Sequence, residues 1–239
     1  MFTRIMRSKV MVENAPTSLT VPGSVAGTSE LKPRLRGVSH QVAAFVFPIM
    51  GLVAVLAARS AGDKVAVGVY TAGVTGMYAA SACYHRGNWT PTTKAQLRRL
   101  DHSMILVGIA STYTAVAALG LSKKTAWELL AAVWALAMAG VIMRNLWLTP
   151  PRWLAGALYI VIGWAAVPAL PIMWTDLGVA TFMLLIVGGV IYSIGAFLFS
   201  GRRADLIPEV FGYHEVFHAL VLLAGLVFYV AIIGLALRA

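Results

Sequence analysis

Long apolar runs separated by short polar connections dominate this chain. A run of about 20 apolar residues is long enough to cross roughly 30 Å of hydrocarbon as a helix. The pattern therefore predicts an all-α membrane protein, a bundle of seven transmembrane helices. Pro48, Pro168 and Pro171 fall inside runs, where neighbouring helices can satisfy the freed carbonyls, so we expect kinks there. The runs cover residues 39–58, 65–85, 101–121, 126–147, 153–174, 177–199 and 214–237.

Small residues recur at every fourth position of the second run. They are Gly68, Ala72, Gly76 and Ala80. Residues four apart share one face of a helix, and small side chains let another helix approach that face. The spacing predicts close helix packing along this face.

Composition supports the membrane prediction. The 239 residues are 59% hydrophobic and only 12% charged, too apolar for one soluble core with polar cover. The net charge of +10 could suggest nucleic acid, but the Lys and Arg residues lie between apolar runs and form no single basic face. The single cysteine, Cys83, lies within an apolar run and can form no intrachain disulfide.

The first 37 residues differ from the rest. They hold several Pro and Gly among Ser, Thr and Arg, without the apolar core of a secretory signal peptide. We predict a flexible basic cytoplasmic tail at 1–37 and a transmembrane domain at 38–239. Lys32, Arg34 and Arg36 are placed to meet anionic lipid headgroups just before the first span.

Positive residues predict the orientation of the bundle. When loops are assigned alternately to the two sides, most of the 19 Lys and Arg residues fall on the side of the N-terminus. Positively charged loops remain in the cytoplasm, so the N-terminus should be cytoplasmic and the C-terminus extracytoplasmic. The exceptions are Arg59, Lys64, Lys123, Lys124 and Arg238.

All five histidines lie at span ends that this orientation places at the cytoplasmic face. Ionisable residues at membrane depth are expensive, so such clustering points to a site. A bland alternative is that they cap helix ends or bind lipid phosphate. The histidines are His40, His85, His102, His214 and His218.

Spacing favours a metal site. His214 and His218 are four residues apart and share one helix face, so together with a histidine from another helix they could offer three nitrogens to zinc and leave a fourth position for water. Asp101 lies at matching depth and could accept a hydrogen bond from that water as base or orienter. Ser81 lies four residues before His85, although its hydroxyl could instead bond back to its own helix. His40 and His102 are expected around the site or at the interface.

Four segments together resemble the hemolysin III family, the bacterial branch of the PAQR group. That group includes the adiponectin receptors and belongs to the CREST superfamily of membrane hydrolases. The resemblance covers roughly residues 36–238. The segments are Ser81 to His85, Leu97 to His102, Ser111 to Thr114 and Phe211 to His218.

The resemblance implies a seven-helix bundle with a cytoplasmic N-terminus in the cell membrane. It also implies zinc held by His85, His214 and His218, with Asp101 and Ser81 as catalytic candidates. Relatives in this superfamily include ceramide-cleaving enzymes, which suits hydrolysis of an amide in a lipid. Family members have also been linked to cytolysis and to membrane lipid homeostasis.

Three functions stay open at this point. The leading one is a zinc-dependent hydrolase of a lipid amide or ester, with membrane lipids as partners. A second follows from the H-E-x-x-H pattern at 214–218, in which Glu215 would be the base of a peptidase, although a carboxylate in the first turn of a helix is also favoured by the helix dipole. The third is a receptor-like or cytolytic protein with structural zinc.

Overall fold

The computed structural model of the chain describes residues 33–146, 152–203, 206–207 and 209–238. Most of these residues are helical, and the described part has no β-strand beyond one isolated bridge between Ile207 and Phe211. The first 32 residues of the predicted tail lie outside it. The helices are α1 (Val38–Ala57), α2 (Ala61–Arg86), α3 (Pro91–Gly120), α4 (Lys123–Leu146), α5 (Arg152–Gly163), α6 (Leu170–Leu177), α7 (Val179–Ser200) and α8 (Tyr213–Arg238).

These helices supply seven stretches long and apolar enough to span a membrane, which confirms the predicted seven-span bundle. The fifth stretch, Gly156–Leu177, contains the end of α5, a 3-10 turn at Val167–Ala169 and α6. Pro168 lies within that turn and Pro171 in the first turn of α6, where a missing N–H removes no helical hydrogen bond. The prolines therefore divide this span into two helices, whereas α1 continues through Pro48.

The outer surface of the bundle is apolar. On α1, Phe45, Ile49 and Leu56 are 73%, 67% and 71% exposed, and α7 and α8 also carry exposed Val, Ile, Leu and Phe side chains. A soluble monomer rarely carries such large apolar patches, whereas a bilayer solvates them. Lipid-facing surface of this kind matches the seven spans.

Helices α2 and α3 pack closely at Gly73. A Cβ atom there would lie 2.1 Å from Ser111 Oγ and 2.6 Å from Ser111 Cβ. The predicted row of small residues does not mark this contact: a Cβ at Gly68 would meet nothing within 4 Å, and Ala72 is exposed. Gly76 faces only the flexible end of Met104. The close approach therefore lies one position away from the predicted face.

Backbone hydrogen bonds hold the chain before α1 against the connection between α7 and α8. The backbone N–H groups of Arg34 and Leu35 donate to the carbonyls of Glu209 and Val210 at 3.0 and 3.2 Å. Gly37 follows with a φ of 77°, and a Cβ there would lie 2.6 Å from the Cβ of His85. Only glycine suits both the left-handed backbone and this contact. These contacts bring the starts of α1 and α8 to the end of α2.

Candidate metal centre

Three histidines from two helices converge at one end of the bundle. His85 lies in the last turn of α2, while His214 and His218 lie one turn apart at the start of α8. One ring nitrogen from each lies within 4.8 Å of the others. The structure therefore brings together the three residues that the sequence selected, and they are close enough to bind a metal ion.

One pair of these nitrogens is spaced as in a tetrahedral metal site. The Nε2 atoms of His85 and His214 lie 3.1 Å apart. Two nitrogens bound tetrahedrally to zinc at about 2.0–2.1 Å would be separated by roughly 3.3 Å. The buried Nδ1 atom of His218 has no hydrogen-bond partner within the described part of the chain. Because buried polar atoms are rarely left unsatisfied, this donor set suits a cation.

Asp101 and Ser81 lie beside the three histidines. Asp101 Oδ2 is 3.9 Å from His85 Nε2, too far for a direct hydrogen bond. The Ser81 hydroxyl lies 2.8 Å from His40 Nδ1 and also interacts with the carboxylate of Asp101. The rings of His40 and His218 stack with centroids 3.9 Å apart. His40 is thus held against the cluster without belonging to the set of three.

His102 lines the same cavity as His214 and His218, but it does not belong to the group of three. Its Nδ1 contacts the guanidinium of Arg144 on α4, and its carbonyl accepts a 3.3 Å hydrogen bond from the hydroxyl of Tyr159. The sequence predicted the depth of His102, but the rotation of α3 about its axis decides which groups its side chain contacts. Arg144 and Tyr159 were not singled out from the sequence, since an Arg at a span end is the ordinary sign of a cytoplasmic loop.

Glu215 is occupied by structural contacts. Its Oε1 forms an ion pair with Arg36, and its Oε2 accepts a 3.0 Å hydrogen bond from the backbone N–H of Gly212. The side chain is 3% exposed. Arg36, which was expected at lipid headgroups, therefore binds the first turn of α8 instead. Sequence reasoning missed this partner, which lies 179 positions from Glu215.

A cavity of about 370 Å³ opens beside the histidine cluster. His40, Ser81, Asp101, His214 and His218 line it. A second cavity of about 130 Å³ has mostly apolar walls from α2, α3 and α5 to α8. The two cavities share five lining residues: Ile105, Tyr159, Tyr192, Ala196 and Phe217. A polar chamber and an apolar one therefore adjoin each other inside the bundle.

Comparison with known proteins identifies the family. The model of the family described as haemolysin-III related matches residues 28–229. The chain belongs to the hemolysin III family. The Hemolysin-3 homolog of Bacillus subtilis is 29% identical over 163 residues, which cover 68% of this chain and 73% of that protein. Hemolysin-3 of Bacillus cereus is 32% identical over 123 residues, 52% of this chain and 53% of that protein.

Family membership and the seven apolar spans together establish a multi-pass protein of the bacterial cell membrane. The matched region includes α1 to α7 and most of α8, with Ser81, His85, Asp101, His214 and His218 inside it. The histidine cluster is therefore part of the region that this hemolysin III protein shares with its family.

Proposed function

We propose that this hemolysin III protein is a zinc-dependent hydrolase that cleaves an amide or ester bond in a membrane lipid. The observation that carries the proposal is the convergence of three imidazoles, two of which line a cavity together with Asp101, beside an apolar chamber. Turnover of a membrane lipid would give the protein a role in membrane lipid homeostasis.

His85, His214 and His218 would hold the metal. When bound at such a site, zinc polarises a carbonyl and lowers the pKa of a coordinated water to about 7. Asp101 would accept the proton from the attacking water, since its carboxylate is close to His85 yet not hydrogen-bonded to it. Ser81 would orient that carboxylate, because its hydroxyl lies against His40 and interacts with Asp101.

The adjoining apolar cavity supports a lipid substrate. Val74, Ile109, Val116 and Phe228 are among its walls, and such side chains offer an acyl chain a water-free environment. An acyl chain seated there would have its polar end in the cavity with the histidines. The bond to be cleaved would then lie near the polar groups.

The peptidase alternative is weakened by the contacts of Glu215. A general base must reach the proton that it abstracts, and both oxygens of Glu215 already bind Arg36 and the Gly212 N–H.

A non-enzymatic role with structural zinc has its own physical basis, because a metal held by His85, His214 and His218 would link the end of α2 to the start of α8.

The two acids separate these functions. We expect Asp101→Asn to retain zinc but to lower hydrolysis of an N-acyl or O-acyl lipid by about 10²- to 10⁴-fold, the usual contribution of a general base. Glu215→Gln removes the same charge and should retain most of the hydrolysis. Purified protein in detergent would be assayed for zinc by elemental analysis and for released fatty acid.

If Glu215→Gln lost cleavage of a peptide while Asp101→Asn retained it, the peptidase would be supported. If the unmodified protein releases no fatty acid or peptide while chelation only lowers its melting temperature, zinc is structural and the hydrolase proposal fails.

A further inference from the structure

The charged lining of the larger cavity is strongly unbalanced. Three arginines line it, Arg98, Arg144 and Arg202, against one acidic residue, Asp101, among the described residues. Histidines contribute no negative charge to offset them, and a bound divalent cation would add positive charge. A cavity with this lining attracts anions, because its low-dielectric walls concentrate the field of the arginines.

Of the three arginines, Arg144 is the buried one and therefore most needs a counter-ion. Its side chain on α4 is about nine-tenths buried, with 9% of the residue exposed. It contacts His102, which is not an acid, and it interacts with Asp101 only at longer range, since no carboxylate within the described ranges lies within 4 Å of it. Its Nε has no hydrogen-bond partner within the described part of the chain. A buried charge at membrane depth normally has a partner.

The chemistry of the guanidinium indicates the kind of partner. Arginine offers five N–H donors in a planar fork, a shape that matches the oxygens of a phosphate. Arg98 and Arg202 are exposed residues that also line this cavity, so they add positive charge where it opens. Several arginines around one buried fork are typical of phosphate recognition.

The neighbouring apolar chamber indicates that this phosphate is carried by a lipid. We propose that the larger cavity binds the phosphate group of a membrane lipid, with Arg144 as the buried donor and Arg98 and Arg202 at the opening. The inference rests on the proposed function for the role of the cavity as a substrate site. It narrows the substrate to an acyl lipid whose head group carries phosphate.

Binding can be tested separately from turnover with lipids that contain no ester or amide. The probes are a dialkyl ether glycerol phosphate, the matching dialkyl ether glycerol without phosphate, and inorganic phosphate. Affinity for purified protein in neutral detergent would be measured by native mass spectrometry. We expect the ether phosphate to bind at least about 10-fold more tightly than either of the other two, the range of one or more charge-assisted hydrogen bonds.

Matched variants locate the site. Arg144→Gln should weaken binding of the ether phosphate about 10-fold or more, and Arg98→Gln should weaken it less because that residue is exposed. Arg99→Gln removes a neighbouring charge on α3 that does not line the cavity and should leave affinity unchanged. Arg144→Lys keeps the charge but not the fork, so intermediate affinity is expected even if Arg144→Gln folds poorly.

Equal affinity for the ether lipids with and without phosphate would overturn the proposal, as would full affinity in a folded Arg144→Gln variant. Inorganic phosphate that binds as tightly as the ether phosphate would overturn the lipid assignment. Binding with the expected pattern, in a protein that cleaves no acyl lipid, would uphold the phosphate site and reject the hydrolase. Cleavage of acyl lipids that does not depend on a phosphate group would uphold the hydrolase and reject the phosphate site.

Discussion

At the scale of single residues, the three clustered histidines differ in burial and in the side chains that pack against their rings. His218 is almost fully buried and its ring stacks on His40, whereas His214 is half-buried with its ring centroid 5.1 Å from that of Phe199. His85 is fixed from the other side by the close contact with Gly37. Contacts of this kind restrict imidazole rings before a metal binds, and such support raises affinity.

The first prediction concerns these ligands. One zinc ion per chain should copurify, and replacement of His85, His214 or His218 by Ala should lower zinc affinity by about 100-fold or more. Loss of a side chain that hydrogen-bonds a metal ligand already costs about 10- to 100-fold, and loss of a ligand itself should cost more. Elemental analysis after dialysis against a zinc-buffering chelator measures the occupancy.

His102→Ala is the matched control, since His102 faces Arg144 and should leave occupancy nearly intact. If His102→Ala removed the metal while His85→Ala did not, the ligand assignment would be wrong.

Local spacing made part of the histidine cluster predictable, because a four-residue interval places His214 and His218 on one helix face. The contacts of Arg36 with Glu215 and of Arg144 with His102 span 179 and 42 positions, and no local pattern records them. They depend on how the helices rotate and pack. The sequence therefore predicted which residues would meet, but not the contacts that surround them.

At the scale of helices, α2 is the element on which the site depends. Its last turn carries His85 and Ser81 lies one turn earlier, while α1 and α3 pack along its length. The length of the apolar run located α2, but a four-residue spacing of small residues cannot show which neighbour each face meets. Gly73 packs tightly against Ser111 of α3, whereas in the spaced row Gly68 and Ala72 do not meet α3 and Gly76 meets only the end of Met104.

The second prediction tests that contact. Gly73→Ala should destabilise the protein by about 1–3 kcal/mol, because the new methyl group would overlap Ser111 and would force α2 and α3 apart. Gly68→Ala is the matched control on the same helix, where a Cβ meets nothing within 4 Å. Thermal unfolding in detergent, followed by circular dichroism, would compare the two.

Equal melting temperatures for the two variants would show that the helices do not meet at Gly73. A loss of stability that occurs only in Gly68→Ala would instead restore the predicted face.

At the scale of the whole molecule, the site and the positive charges lie at the same end of the bundle. The ends of α2 and α4, the starts of α1 and α8 and the first half of α3 carry the histidines, Arg98 and Arg144. The opposite end carries fewer positive charges, among them Arg59, whose guanidinium donates to the carbonyl of Leu237 at 3.0 Å. Such asymmetry is the pattern by which positively charged loops are retained in the cytoplasm.

The last prediction is that the two ends of the chain lie on opposite sides of the membrane, with the N-terminus and the metal centre facing the cytoplasm. Seven spans are an odd number, so the termini must differ in side, and the excess of Lys and Arg decides which terminus remains inside.

Reporters that are active on only one side of the membrane would be fused at each end. Matched insertions at residues 58–60, between α1 and α2, and at 87–90, between α2 and α3, should report outside and inside respectively. Termini on the same side would mean that one of the seven stretches does not cross. A reversed pattern at all four positions would keep the seven spans but place the histidine cluster at the outer face, where a hydrolase would meet lipids of the other leaflet.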